Sequence, residues 1–127
     1  METNTDPTVA DVAKECRLSF RLGDRPDDHS MPDGARHYRC VLSRGKRRFT
    51  FWYSVGPALE RDPDVAEVLD SLLMDANCVR WDSFEQFCHE YGYDQDSRKA
   101  LATYKACEKT AKSLERLGID LDTRRED

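Results

Sequence analysis

Residues 36–55 read Arg-His-Tyr-Arg-Cys-Val-Leu-Ser-Arg-Gly-Lys-Arg-Arg-Phe-Thr-Phe-Trp-Tyr-Ser-Val, and the order of side chains in this stretch decides the fold. Side chains of an extended chain alternate between two faces. With that period Tyr38, Cys40 and Leu42 share a face of one strand, and Phe49, Phe51, Tyr53 and Val55 share a face of a second. Arg44 to Arg47 connect them, and Gly45, the only glycine of the stretch, suits a turn that needs one positive φ. The pattern predicts a hairpin with strands at 37–43 and 48–55 and one apolar face. The opposite face carries Arg39, Val41, Arg48, Thr50 and Trp52. Six of the thirteen residues from 36 to 48 are Arg or Lys and none is acidic, which makes the hairpin the basic pole of a chain whose net charge is −5.

Towards the N-terminus, Cys16, Leu18, Phe20 and Leu22 alternate with Arg17, Ser19 and Arg21, which predicts a further strand over 16–22, antiparallel in the same sheet. Before it, Thr8 with Asp11 three residues later has the spacing of a capping box and predicts a short helix from Thr8 to Glu15. Residues 1–7 are expected to be frayed. Residues 23–35, with Pro32, Gly34, Asp27, Asp28, Asp33 and Ser30, are expected to be a mobile surface loop.

Beyond the hairpin, Gly56-Pro57 ends the sheet. Asp62 as cap and Pro63 as first helical residue predict a helix over 63–76, with Val65, Val68, Leu69, Leu72 and Leu73 on one side. Ser83 and Gln86 have capping-box spacing ahead of Phe84, Phe87, Cys88 and Tyr91, which predicts a helix over 84–91 ended by Gly92. A last helix over 97–117 turns Ala100, Leu101, Tyr104, Cys107, Ala111, Leu114 and Leu117 inward. Gly118 followed by Ile119 reads as its left-handed cap, and the charged tail from Asp120 is expected to be loose. Three strands followed by three helices, without alternation, predict a single α+β domain, a three-stranded antiparallel sheet with the helices on one face.

Composition narrows the function. A chain of 127 residues with 35% charged side chains fits one polar domain, and no apolar run approaches the roughly 20 residues of a membrane span. The N-terminus lacks the basic start and apolar core of a signal peptide, which implies a cytoplasmic protein. Five widely spaced cysteines, an odd number, read as reduced buried thiols. Residues 61–96 hold ten acids against Arg61 and Arg80, a net of −8. That segment favours cationic partners and the hairpin favours anionic ones.

The outward sheet face predicts a group of Arg17, Arg21, Arg39, Arg48 and Trp52, able to neutralise phosphates and stack a base. Guanidinium stacking on tryptophan also covers sheets that bind nothing. Carboxylates along the acidic helices could imitate a phosphate track, although a solvated helix face has the same composition. A second candidate is the segment from Tyr91 to Lys99, where Asp94 and Asp96 can cap the last helix. Arg98 and Lys99 lie in its first turn, where cations are disfavoured, so the pair is expected to meet nearby carboxylates or a partner. No catalytic residues are assigned. There is no phosphate loop and no Gly-x-Ser-x-Gly, and His29, His37 and His89 have no sequence neighbour that marks a catalytic base. No metal and no cofactor are expected, because Cys88-His89 point apart on a helix and no Cys-x-x-Cys occurs.

The segments Phe-Trp-Tyr-Ser-Val-Gly (51–56), Pro-Asp-Val-Ala-Glu-Val-Leu-Asp-Ser-Leu (63–72) and the run from Ser83 to Ala100 resemble small proteins of bacteriophages and mobile elements, some of which are anti-CRISPR inhibitors. The similarity spans residues 37–118 and is most specific at Glu-Tyr-Gly-Tyr-Asp-x-Asp-Ser-Arg-Lys (90–99). It implies a phage-type setting, and with the segregated charge and the lack of a catalytic motif the expected function is that of a non-enzymatic anti-CRISPR inhibitor that binds a CRISPR effector subunit and blocks access to target nucleic acid. The alternative is a phage nucleic-acid-binding or regulatory protein that uses the basic hairpin face.

Overall fold

A computed structural model describes residues 7–24, 34–56, 62–79, 84–94 and 97–124. The Ser83 cap, Asp96 and most of the loop expected over 23–35 lie outside them. In chain order the elements are α1 (Val9–Ala13), β1 (Arg17–Leu22), β2 (Arg36–Arg44), β3 (Arg47–Val55), α2 (Val65–Asn77), α3 (Phe84–Tyr91) and α4 (Arg98–Arg116). The strands form one antiparallel sheet in the order β1-β2-β3, so the α+β class and the sheet read from the sequence are those observed.

The hairpin loop is shorter than the four residues expected. Arg44 pairs with Arg47, and only Gly45 and Lys46 lie between the strands. Gly45 has φ 62° and no other residue type has positive φ among the described residues, which matches a two-residue turn with glycine first. Tyr38, Cys40, Leu42, Phe49, Phe51 and Val55 form the buried face of the hairpin. Against it pack Val68, Leu69, Leu72 and Leu73 from α2 and Ala111 and Leu114 from α4. Each leucine so buried contributes about 1.5–3 kcal/mol relative to exposure. A second, smaller cluster joins Phe87 and Cys88 of α3 to Ala100 of α4, with Tyr93 and Tyr104 against it.

Several boundaries differ from expectation for definable reasons. The first long helix begins at Val65 with Asp64 at the N-cap, so Asp62 and Pro63 stand outside it. Asp64 lies next to the first apolar position and its carbonyl accepts from the Val68 N–H at 2.9 Å, although its side chain makes no cap hydrogen bond. α4 is capped by Ser97, whose hydroxyl accepts from the Ala100 N–H at 3.2 Å. Leu101, expected inside, is 40% exposed, because it falls at the rim of the buried stripe of α4. Residues 120–124, expected to be loose, are held: Arg124 N–H donates to Pro7 C=O and Val9 N–H donates to Arg124 C=O, both at 2.9 Å. Ile119 and Thr123 are buried there.

The short helix ahead of the sheet has the capping box expected of it, Thr8 and Asp11 each accepting from the other's N–H at 3.2 Å. The Thr8 backbone N–H first, and the Thr8 hydroxyl after it, hold the Asp11 carboxyl below its usual pKa range. On β1 the apolar alternation is as expected, but Phe20 is 37% and Leu22 64% exposed. Leu18 of β1 is partly buried against the main core, while Phe20 and Leu22 towards the end of the strand stay exposed.

Candidate functional site

The strand register decides which side chains meet on the open side of the sheet. Arg17 stands opposite Ser43, and Ser43 opposite Arg48. One row further, Ser19, Val41 and Thr50 align, and beyond them Arg21, Arg39 and Trp52. All lie on the face away from the helices, since the alternate residues of the same strands line the core. The structure therefore brings Arg17, Arg21, Arg39, Arg48 and Trp52 together. Adjacent strands are about 4.8 Å apart, so four guanidinium groups share a patch two strand spacings wide. His37 and Ser54, paired in the next row with Nδ1 to Oγ at 2.7 Å, complete it. Among the described strand residues none on this face is acidic.

Within the patch Trp52 lies across the sheet. The Arg39 guanidinium stands 5.3 Å from the ring centroid, a cation–π distance. The far end of the indole reaches Gly23 beyond β1, where a Cβ would stand 3.2 Å from Cη2. Trp52 is half-buried, so its ring is positioned by Arg39 and Gly23 and is still open to solvent.

The remaining cations of the hairpin have a different use. Arg44 Nη1 donates to the carbonyls of Leu117 at 3.1 Å and Gly118 at 2.7 Å, and Arg47 Nη1 donates to the carbonyl of Arg116. These are the carbonyls that the end of α4 leaves without intrahelical partners, at the negative end of its dipole. Arg44 Nη2 also donates to Glu15 Oε1 at 3.0 Å. The basic run is thus split by strand parity and position: Arg39 and Arg48 point outward with Arg17 and Arg21, while Arg44 and Arg47 close a helix.

The second candidate group lies apart from the patch. Asp94 is exposed in the connection after α3, and Arg98 and Lys99 are exposed in the first turn of α4. Gly92, with φ 72°, ends α3, and the following Tyr93 stacks on Phe87 at 5.7 Å between ring centroids. Tyr91 and Phe87 are 5.1 Å apart, with Tyr91 47% exposed.

All five cysteines are unpaired, and four are buried. Burial pushes Cys40 up to about 11 and Cys107 up to about 12, the latter helped by Asp75 and Cys78. Both are weak nucleophiles in consequence. Among the described residues no group of three or more His, Cys, Asp or Glu side chains is placed to hold a metal ion. No helix among them is long and apolar enough to cross a membrane.

One feature of the site escaped the sequence reading. The β3 edge and α4 enclose a cleft of about 510 Å³ lined on one side by Arg39, Thr50 and Trp52 and on the other by Thr103, Lys109 and Thr110. Beyond Arg98 and Lys99 the cations of α4 were not read from the sequence, although their spacing is visible in it. What fold and site define is a small α+β protein with an arginine-rich sheet face, uncovered among the described residues, beside a cleft. No protein-family model matches the chain, and neither a curated protein nor a solved structure matches it.

Proposed function

We propose that this chain is a non-catalytic binding protein that engages nucleic-acid phosphates through the open face of its sheet. The observation that carries this reading is the alignment of Arg21, Arg39 and Trp52 in one row and of Arg17 and Arg48 two rows away, on a sheet face whose described strand residues include no carboxylate. Arg21 and Arg39 stand directly opposite each other across β1 and β2, a like-charge pairing that a phosphate backbone relieves. Trp52 offers a π-surface for a base. A mobility shift at low salt tests the reading: Arg39→Ala with Arg48→Ala should weaken the complex and flatten its salt dependence. A chain that shifts neither DNA nor RNA at low ionic strength rules it out.

The acidic pole favours a second reading, an anti-CRISPR-type inhibitor working in the cytoplasm of a host cell. Asp64, Glu67 and Asp70 belong to α2 and its cap, which pack on the side of the sheet away from the arginine patch, and Glu85 and Glu90 belong to α3. Opposite poles suit a protein that occupies the nucleic-acid channel of an effector subunit, and the phage-protein resemblance supports that partner. Phage plating on a host with an active CRISPR system tests it. Plating unchanged on expression, together with a pull-down that recovers no effector subunit, removes it.

A further inference from the structure

α4 carries Arg98, Lys105, Lys109, Lys112 and Arg116 at spacings of seven, four, three and four. At about 100° per residue these fall on one stripe, about 27 Å from end to end. All five are exposed. The acids of the helix, Glu108 and Glu115, fall together on one flank of the stripe. Thr103, Ala106 and Thr110 fall on the other, and these three line the cleft against β3. Lys109 borders both the cleft and the stripe. The helix is fixed along the strand by Arg47, which donates to the Arg116 carbonyl at one end, and by the cleft that places Thr103 near Trp52 at the other.

We propose that the arginine patch and this stripe are one track for single-stranded nucleic acid, which crosses the β3 edge and seats a nucleotide in the cleft. The inference rests on the nucleic-acid reading above and adds the substrate class and the path. Three observations carry it. The cleft's volume is about 510 Å³, within the range of roughly 300–1,000 Å³ of sites that hold small organic molecules. It does not admit a duplex. β3 is the outer strand of the sheet, and hydrogen bonding alternates along it from the Arg44–Arg47 pair. The backbone N–H groups of Arg48, Thr50 and Trp52 therefore face this edge, donors at the place where a backbone would cross. The track also turns from a sheet face onto a helix. A flexible single strand follows such a turn, whereas a duplex, stiff over about 150 base pairs, touches one facet at a time. Asp75 borders the cleft on the α2 side, and Thr50, Lys109 and Thr110 line its other parts.

Fluorescence anisotropy with labelled oligo-dT and with a duplex of equal length, each over a series of salt concentrations, tests the path. The expected result is tighter binding of the single strand. Arg39→Ala/Arg48→Ala and Lys109→Ala/Lys112→Ala should each lower the magnitude of its log–log salt slope by about 1.4, two contacts at about 0.7 each. If the lysine pair leaves slope and affinity unchanged while the arginine pair reduces them, the sheet face is the whole site. The track is then overturned and the nucleic-acid reading stands. A duplex bound as tightly as the single strand also overturns the track. If neither probe binds at low salt, both fall. Unchanged circular-dichroism melting of the two variants keeps the comparison clear of misfolding.

Discussion

Arg44 and Gly118 meet twice over: Arg44 Nη1 donates to the Gly118 carbonyl at 2.7 Å, and a Cβ on Gly118 would stand 2.8 Å from that same nitrogen. The hairpin and the end of α4 are joined through this contact. Gly118 has φ 77° and heads a helix-ending motif, with Gly118 N–H donating to Glu115 C=O and Ile119 N–H to Leu114 C=O, both at 2.9 Å.

Gly118→Ala should therefore lower stability by about 1–2 kcal/mol, from the left-handed backbone and the displacement of Arg44. Arg44→Ala should cost a similar amount, because charge-assisted bonds to carbonyls are worth about 1.5–3 kcal/mol at most. Glu15→Ala should cost less than 1 kcal/mol: its side chain is 57% exposed and Arg44 is 30% exposed, and open ion pairs contribute about 0–1 kcal/mol. Urea midpoints of the three variants check the order. A loss at Glu15 equal to that at Arg44 would show the ion pair to dominate.

Gly23 leaves room for Trp52, so its replacement should report on the binding face. In Gly23→Ala the new methyl meets the indole at 3.2–3.3 Å, and the ring must give by a few tenths of an ångström. With Trp81→Phe as background, the emission of Trp52 should move while the urea midpoint changes by less than about 1 kcal/mol in equivalent stability. An unmoved spectrum would mean that the ring is not held at Gly23.

The sheet was legible because its information is local: alternation at 36–55 and 17–22 assigns faces without knowledge of the partner strand. The same parity placed Arg17, Arg21, Arg39, Arg48 and Trp52 together. Parity could not say how far the helices reach, so the exposure of Phe20 and Leu22 was not readable. Nor could composition separate Arg44 and Arg47 from Arg39 and Arg48, because what distinguishes them is α4, which ends seventy residues away in sequence at carbonyls that attract two of the four. The held residues 120–124 were missed for a related reason. Their partners are Pro7 and Val9, at the opposite end of the chain.

Alkaline pH should loosen the core. Cys40 is pushed up to about 11 and Cys107 to about 12, chiefly by burial, while unfolded thiols ionise near 8.5–9. Above pH 9 the unfolded chain has lost these protons and the folded chain keeps them. Unfolding then releases protons, and stability falls as pH rises towards 11 and 12, by up to about 1.4 kcal/mol per pH unit for each thiol. Below pH 9 the thiols contribute no slope. Urea midpoints of Cys107→Ala against the parent at each pH cancel the lysines and tyrosines. Parallel curves up to pH 11 would show that Cys107 ionises freely in the folded protein.

The division of labour among the hairpin cations makes the most discriminating comparison, because two pairs of arginines from one basic run should fail in opposite ways. Arg44 and Arg47 bond to the carbonyls of Arg116, Leu117 and Gly118, so Arg44→Ala/Arg47→Ala should lower the melting temperature by several degrees. Their guanidinium groups are committed to the helix end and should add little to the salt dependence of binding. Arg48 is exposed and Arg39 rests on Trp52, so their joint replacement should leave melting within about 0.5–1 kcal/mol of the parent and reduce the salt slope. Melting curves and binding isotherms on the same two preparations read both quantities. Equal loss of salt slope in the two variants would mean that nucleic acid is held by the total charge of the hairpin, and that the outward face has no special claim to it.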